Sequence, residues 1–111
     1  MPIKLSRDEV GKSLILSVEG SVDIATSPEL RGELRDAVEA KRPRIIVDMT
    51  GVSFVDSSGL ATLIEALQGT KKYNGELRLF GLTKTVMGVF QLANLQNIFA
   101  ISATREDALA G

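Results

Sequence analysis

Neither cysteine nor histidine occurs among the 111 residues. The first absence excludes disulfides, thiolate metal sites and cysteine nucleophiles. The second removes the commonest general base and metal ligand, and with it Ser-His-Asp catalysis, histidine-held zinc and histidine phosphocarrier chemistry. Aromatic residues make up only 5% of the chain, too few for base-stacking platforms. A dominant charge is missing too. Thirteen basic residues against fourteen acidic ones give a net charge of −1, and no nucleic-acid footprint follows from that balance. No apolar run approaches the roughly 18 residues of a membrane span, and no basic-plus-apolar signal region opens the sequence. The expectation is a cytoplasmic protein with neither nucleic-acid binding nor membrane insertion. Phosphate-cradling loops of the G-x-x-x-x-G-K-[ST] or G-x-G-x-x-G kind are also absent.

What is present suits one domain spanning residues 1–111, with an ordinary apolar fraction of 44%. Ile3–Arg7 and Ser13–Glu19 read as two strands joined by a turn over Asp8–Lys12, with Gly20–Asp23 as the following loop. A helix then starts at Thr26-Ser27-Pro28-Glu29. Thr26 with Glu29 fits a capping box, while Ser27 with Pro28 fits a cap followed by an N1 proline. Leu30, Leu34, Ala37, Val38 and Lys41 recur at helical spacing, and Pro43 stops the helix. Arg44–Met49 is a short β-branched run suited to a central strand covered on both faces. After it, Leu60, Leu63, Ile64 and Leu67 mark a second amphipathic helix, ending near Tyr73 with Asn74-Gly75 as its exit.

Glu76–Gly81 gives a further strand. A third helix from Thr83 to about Asn94 carries Val86, Val89, Phe90 and Ala93 inward. Ile98–Ile101 is expected as an edge strand, and Thr104–Leu109 as a short terminal helix. Met87 and Leu92 fall off the third helix's stripe, either as an exposed apolar patch or beneath the terminal helix, the latter being favoured. The fold class is therefore α/β, a mixed sheet of about five strands with four helices.

In a sheet wound this way the carboxyl ends of successive parallel strands open on one rim. That topology gathers Asp23, Asp56, Ser57, Ser58, Thr83 and Lys84, although they lie far apart in sequence. Two carboxylates there could hold a cation or move a proton, but no base accompanies the serines, so an enzyme is not expected. A hydroxyl at a helix start is instead well placed to receive a phosphate, because exposed N–H groups and the helix dipole favour an anion there. Phosphoserine brings about −1.5 to −2 charges. The fold should tolerate that charge, and the effect should fall on whatever docks over the rim. Each residue also has a plainer role: Asp56 as an N-cap, Gly59 for close helix–sheet packing, Asp23 and Thr26 for loop and cap.

Asp56-Ser57-Ser58-Gly59-Leu60 after an apolar strand, with Gly20-Ser21-Val22-Asp23 upstream, resembles the STAS domain of bacterial anti-sigma factor antagonists. The resemblance covers nearly the whole chain in element order and spacing. It implies a partner switch whose unphosphorylated form binds an anti-sigma factor that is also a GHKL-type serine kinase, releasing the sigma factor. Phosphorylation of the serine after the aspartate, here Ser57, would weaken binding, and a PP2C-type phosphatase would restore it. The partner-binding surface it implies is Asp23, Asp56, Ser57, Ser58, Gly59, Thr83 and Lys84, with no cofactor of the domain's own. Other branches of the family accompany lipid ABC transporters or switch non-sigma outputs, which is the alternative reading. Gly-Ser-Val-Asp carries a small polar residue where related sequences often have an acidic one, which lowers the charge of that loop. The helical wheel disagrees on one point: extended back from Leu60, it makes Ser58 the more exposed hydroxyl.

Overall fold

A computed structural model describes residues 2–111. The element order is β1 (Lys4–Val10), β2 (Ser13–Val22), α1 (Ser27–Glu39), β3 (Arg44–Val55), α2 (Ser57–Lys71), β4 (Glu76–Phe80), α3 (Lys84–Leu92), β5 (Ala100–Ser102) and α4 (Arg105–Leu109). The five strands form one sheet in sequence order, β1-β2-β3-β4-β5. β1 pairs antiparallel with β2, and every later pair is parallel. This is the expected mixed α/β sheet with four helices. Its strand order never reverses, so the crevice found at a topological switch point is not formed.

The apolar faces of α1, α2 and α3 meet one side of the sheet. Leu30, Leu34, Leu63, Leu67, Val86 and Phe90 share a core there with Leu14, Leu16, Ile45, Val47 and Leu79. The other side is covered by α4, where Ala108 packs with Ile15, Ile46 and Phe80. Arg44 and Arg78 hold this last segment. Arg44 donates to the Leu109 carbonyl at 3.1 Å, and Arg78 donates to the Ala108 carbonyl at 2.8 Å. A continuous apolar run in β3 is thus explained by cover on both faces.

Several boundaries differ from the sequence reading, and each difference has a packing cause. β1 runs on to Val10, leaving only Gly11-Lys12 as the turn, because the apolar β2 needs its outer N–H and C=O groups paired. Its outward carboxylates then find cations: Glu9 meets Arg42, and Asp8 meets Arg105. β2 and β3 also extend past Glu19 and Met49 as a two-stranded ribbon, pairing Glu19 with Gly51, Gly20 with Val52, Ser21 with Phe54 and Val22 with Val55. Register shifts accompany this extension; of the loop expected at Gly20–Asp23 only Asp23 lies outside β2, and Asp56 alone separates β3 from α2.

Of the two expected starts of α1, the one at Thr26 is found, but without a capping box. Thr26 is the N-cap, but its hydroxyl caps no helix N–H; it turns inward, donating to the Ser21 carbonyl at 2.7 Å and accepting from Asp23 N–H at 2.9 Å. Lys41 has left the helix, with φ at 54°, and α2 ends at Lys71, short of Tyr73. α3 stops at Leu92, so Ala93 is an exposed C-cap and not a core residue. β5 begins two residues later than expected, since Phe99 is drawn under α3 edge-to-face with Phe90, ring centroids 5.6 Å apart. Leu92 is 90% exposed. The terminal helix cannot cover it, because α4 lies on the opposite face of the sheet.

Candidate functional site

The β2–β3 ribbon carries the site. Asp56 follows β3 directly, and its N–H donates to the Val22 carbonyl at 3.1 Å, tying the end of β3 to the end of β2. The extended backbone of Asp56, φ −99° and ψ −171°, then starts α2 as its N-cap. One oxygen of its carboxylate, Oδ1, accepts three bonds: from Ser58 N–H at 2.9 Å, Gly59 N–H at 3.2 Å and the Ser58 hydroxyl at 2.6 Å. The Ser58 hydroxyl does most to hold this carboxyl below its ordinary range. Partial burial pushes it up, and the N–H groups of Gly59, Ser58 and Ile24 add to the lowering.

Ile24 and Asp56 therefore face each other across the two loop ends. Asp23, beside Ile24, turns its own Oδ1 back on its loop, accepting from Ala25 N–H at 2.9 Å and Thr26 N–H at 3.1 Å. Both carboxylates are thus engaged by backbone amides. Among the described residues no group of three or more acidic side chains could hold a metal ion.

The two serines differ. Ser57, the first residue of α2, is exposed, and no protein partner is found for its hydroxyl among the described residues. Ser58 is half-buried, with its hydroxyl given to Asp56 and its carbonyl accepting from Thr62 Oγ1 at 2.9 Å. The helical wheel's preference for Ser58 is thus overturned, because the cap bond draws that side chain toward Asp56.

Gly59 is buried. A Cβ there would stand 2.7 Å from Val55 Cγ1 and 3.1 Å from the Val22 carbonyl oxygen. It lets α2 start against both strands.

Thr83 and Lys84 do not join this tip through any hydrogen bond or ion pair among the described residues. β3 last pairs with β4 at Asp48–Phe80, and β3 continues for seven further residues before Asp56. The β4–α3 loop leaves at the lower level, where Gly81 abuts Thr50: a Cβ on Gly81 would fall 2.2 Å from Thr50 Cγ2. Thr83 accepts from Val86 N–H at 3.2 Å as the cap of α3, and Lys84 is exposed. The single rim inferred from topology is therefore two steps, Asp23–Asp56–Ser57–Ser58 above and Thr83–Lys84 below.

The sequence reading also missed two apolar residues of the ribbon tip, Ile24 at 79% and Phe54 at 44% exposure. Periodicity gives no signal for them, since one lies in a loop and the other beside a register shift. No helix among the described residues is long and apolar enough to cross a membrane.

Fold and site together define a class, a small α/β domain that displays a capped serine at the end of a strand ribbon. The chain belongs to the STAS domain family, whose model matches residues 4–108. It is 29% identical over 108 residues to the Bordetella bronchiseptica protein BtrV, described as a candidate anti-sigma factor antagonist, covering 97% of this chain and 93% of that one. The anti-sigma-B factor antagonist of Listeria monocytogenes is 31% identical over 85 residues, 76% of this chain and 74% of its own. The anti-sigma factor antagonist SpoIIAA has been solved unphosphorylated and, from Bacillus, phosphorylated. The two structures superpose with TM-scores of 0.82 and 0.74 at 22% and 21% identity, each covering 96% of this chain and 93% and 96% of their own. They share its fold.

Proposed function

We propose that residues 1–111 form a phosphorylation-controlled partner switch, a binder and a substrate with no catalytic role. Its unphosphorylated form binds an anti-sigma factor that is also a GHKL-type serine kinase and so releases a sigma factor in the cytoplasm. Phosphate on Ser57 weakens that binding, and a PP2C-type phosphatase restores it. The observation that carries this reading is the contrast between an exposed, unengaged Ser57 hydroxyl and a Ser58 hydroxyl spent on Asp56. The relatives' names support the anti-sigma partner, and the two SpoIIAA forms are compatible with a phosphate on this fold.

The chemistry of the cap shapes the switch. Asp56 already occupies the Ser58 and Gly59 N–H groups. A phosphate on Ser57 therefore adds charge beside a carboxylate, and its main effect is repulsion and desolvation cost against a docked partner. Asp23, Ser58, Thr83 and Lys84 are proposed to flank that contact.

Phosphosite mapping after incubation with the cognate kinase and ATP tests the assignment. Modification of Ser57 is expected, and phosphate on Ser58 alone overturns it. Ser57→Ala should bind the kinase without being modified, whereas Ser57→Asp should bind about tenfold or more weakly. Parent-like binding by both variants removes the switch.

A further inference from the structure

A concavity of about 390 Å³ lies between α1 and α2, beyond the first turn of each. Leu34, Val38 and Ala66 give it an apolar floor, and Gly69 keeps the helices close, since a Cβ there would stand 2.8 Å from Val38 Cγ1. Three cations, Arg31, Arg35 and Lys72, line it against a single carboxylate, Glu65.

Glu65 reaches both arginines, Arg35 at 2.8 Å and Arg31 Nε at 3.1 Å. The contact with Arg31 lacks hydrogen-bond geometry, and Arg31 Nε remains a buried N–H without an acceptor. A donor left unmet in this way is costly, and native structures leave few of them. The strong hydrogen bond between Arg35 and Glu65 raises the arginine and lowers the carboxyl, so both stay charged.

We propose that this groove binds a single-chain amphipathic carboxylate. Its apolar body lies along Leu34, Val38 and Ala66, and its head group bridges Arg31 and Arg35, displacing Glu65. The volume falls in the range of small-molecule sites. A planar carboxylate matches the guanidinium forks and supplies the acceptor that Arg31 Nε lacks. A neutral amphiphile brings neither the charge nor the paired oxygens that two guanidinium groups call for, and a cationic one meets three like charges. The site uses neither Ser57 nor Asp56 and does not depend on the switch.

The test is an amide NMR titration of the full chain with decanoate below its micellar concentration, with decanol and decylammonium as controls. Saturable shifts at Arg31, Arg35, Ala66 and Gly69 are expected with decanoate. Arg35→Glu should weaken binding about tenfold, and Glu65→Gln, which frees both arginines, should strengthen it about threefold. Both side chains are about half exposed, so the fold survives these changes, as unshifted amides elsewhere will report. Absence of saturable shifts up to about 1 mM decanoate, equal binding of decylammonium, or weaker binding by Glu65→Gln each overturns the proposal.

Discussion

Asp56 concentrates three donors on one carboxylate oxygen. This is an N-cap whose carboxylate accepts the Ser58 hydroxyl as well as the Ser58 and Gly59 N–H groups. The cap sets which serine is displayed, because a Ser58 hydroxyl 2.6 Å from Asp56 is unavailable while Ser57 remains open. Asp56→Ala should therefore cost about 1 kcal/mol, up to about 2, read as a lower urea midpoint at unchanged m-value. It should also release the Ser58 hydroxyl, so kinase treatment of the variant should spread phosphate onto Ser58. Sequence inspection finds Asp56 and both hydroxyls easily. The helical wheel alone misorders their exposure, because it assumes regular helix geometry, which a cap residue does not follow.

Among the elements, the β2–β3 ribbon does most to shape the site. It lifts Asp23 and Asp56 past the level at which β4 ends, and it needs α2 to start in close contact with both strands. Gly59 makes that contact possible. Gly59→Ala sets a methyl 2.7 Å from Val55 Cγ1 and 3.1 Å from backbone oxygen of Val22, and should lower stability by about 1–3 kcal/mol. Gly32, inside α1, is the control: a Cβ there meets nothing within 4 Å. Gly32→Ala should raise stability by about 0.5–1 kcal/mol. Thermal unfolding of the two variants side by side gives the contrast, and equal effects would refute the packing account of Gly59. The ribbon's extent was not legible from sequence, since Gly20 and Gly51 read as loop residues until each is seen opposite its partner strand.

At the scale of the molecule, several carboxyl groups are held below their ordinary range, Glu9, Asp56, Glu65 and Glu76 among them. For Glu76, burial pushes the group up, but Arg44 and Arg78 pull it down further. A carboxyl whose folded value is depressed contributes stability above its unfolded value, and that contribution is lost as pH falls through the folded value. Stability should therefore decline below about pH 4.5. The exposed pairs at Glu9 and Glu65 contribute little to the decline. Glu76 matters more, because Arg44 is buried and also clamps the chain end beneath the sheet. Glu76→Gln should be less stable than the parent at neutral pH and lose less on acidification. Chemical denaturation at pH 7 and pH 3.5 measures both.

The sequence by itself determined the order of elements, the continuous apolar run that lets β3 be covered on both faces, and Asp56 as a helix cap. Those properties are local: periodicity, turn chemistry and a short-range hydrogen bond need only neighbours in the chain. It also excluded imidazole and thiolate chemistry outright. Tertiary structure alone decided the rest. Pairing between distant strands extended β2 and β3 and split the expected rim in two. The side of the sheet taken by α4 left Leu92 uncovered, and the approach of α1 to α2 brought Arg31, Arg35 and Glu65 together over an apolar floor. Each of these depends on contacts between residues far apart in the chain, which no window of sequence contains.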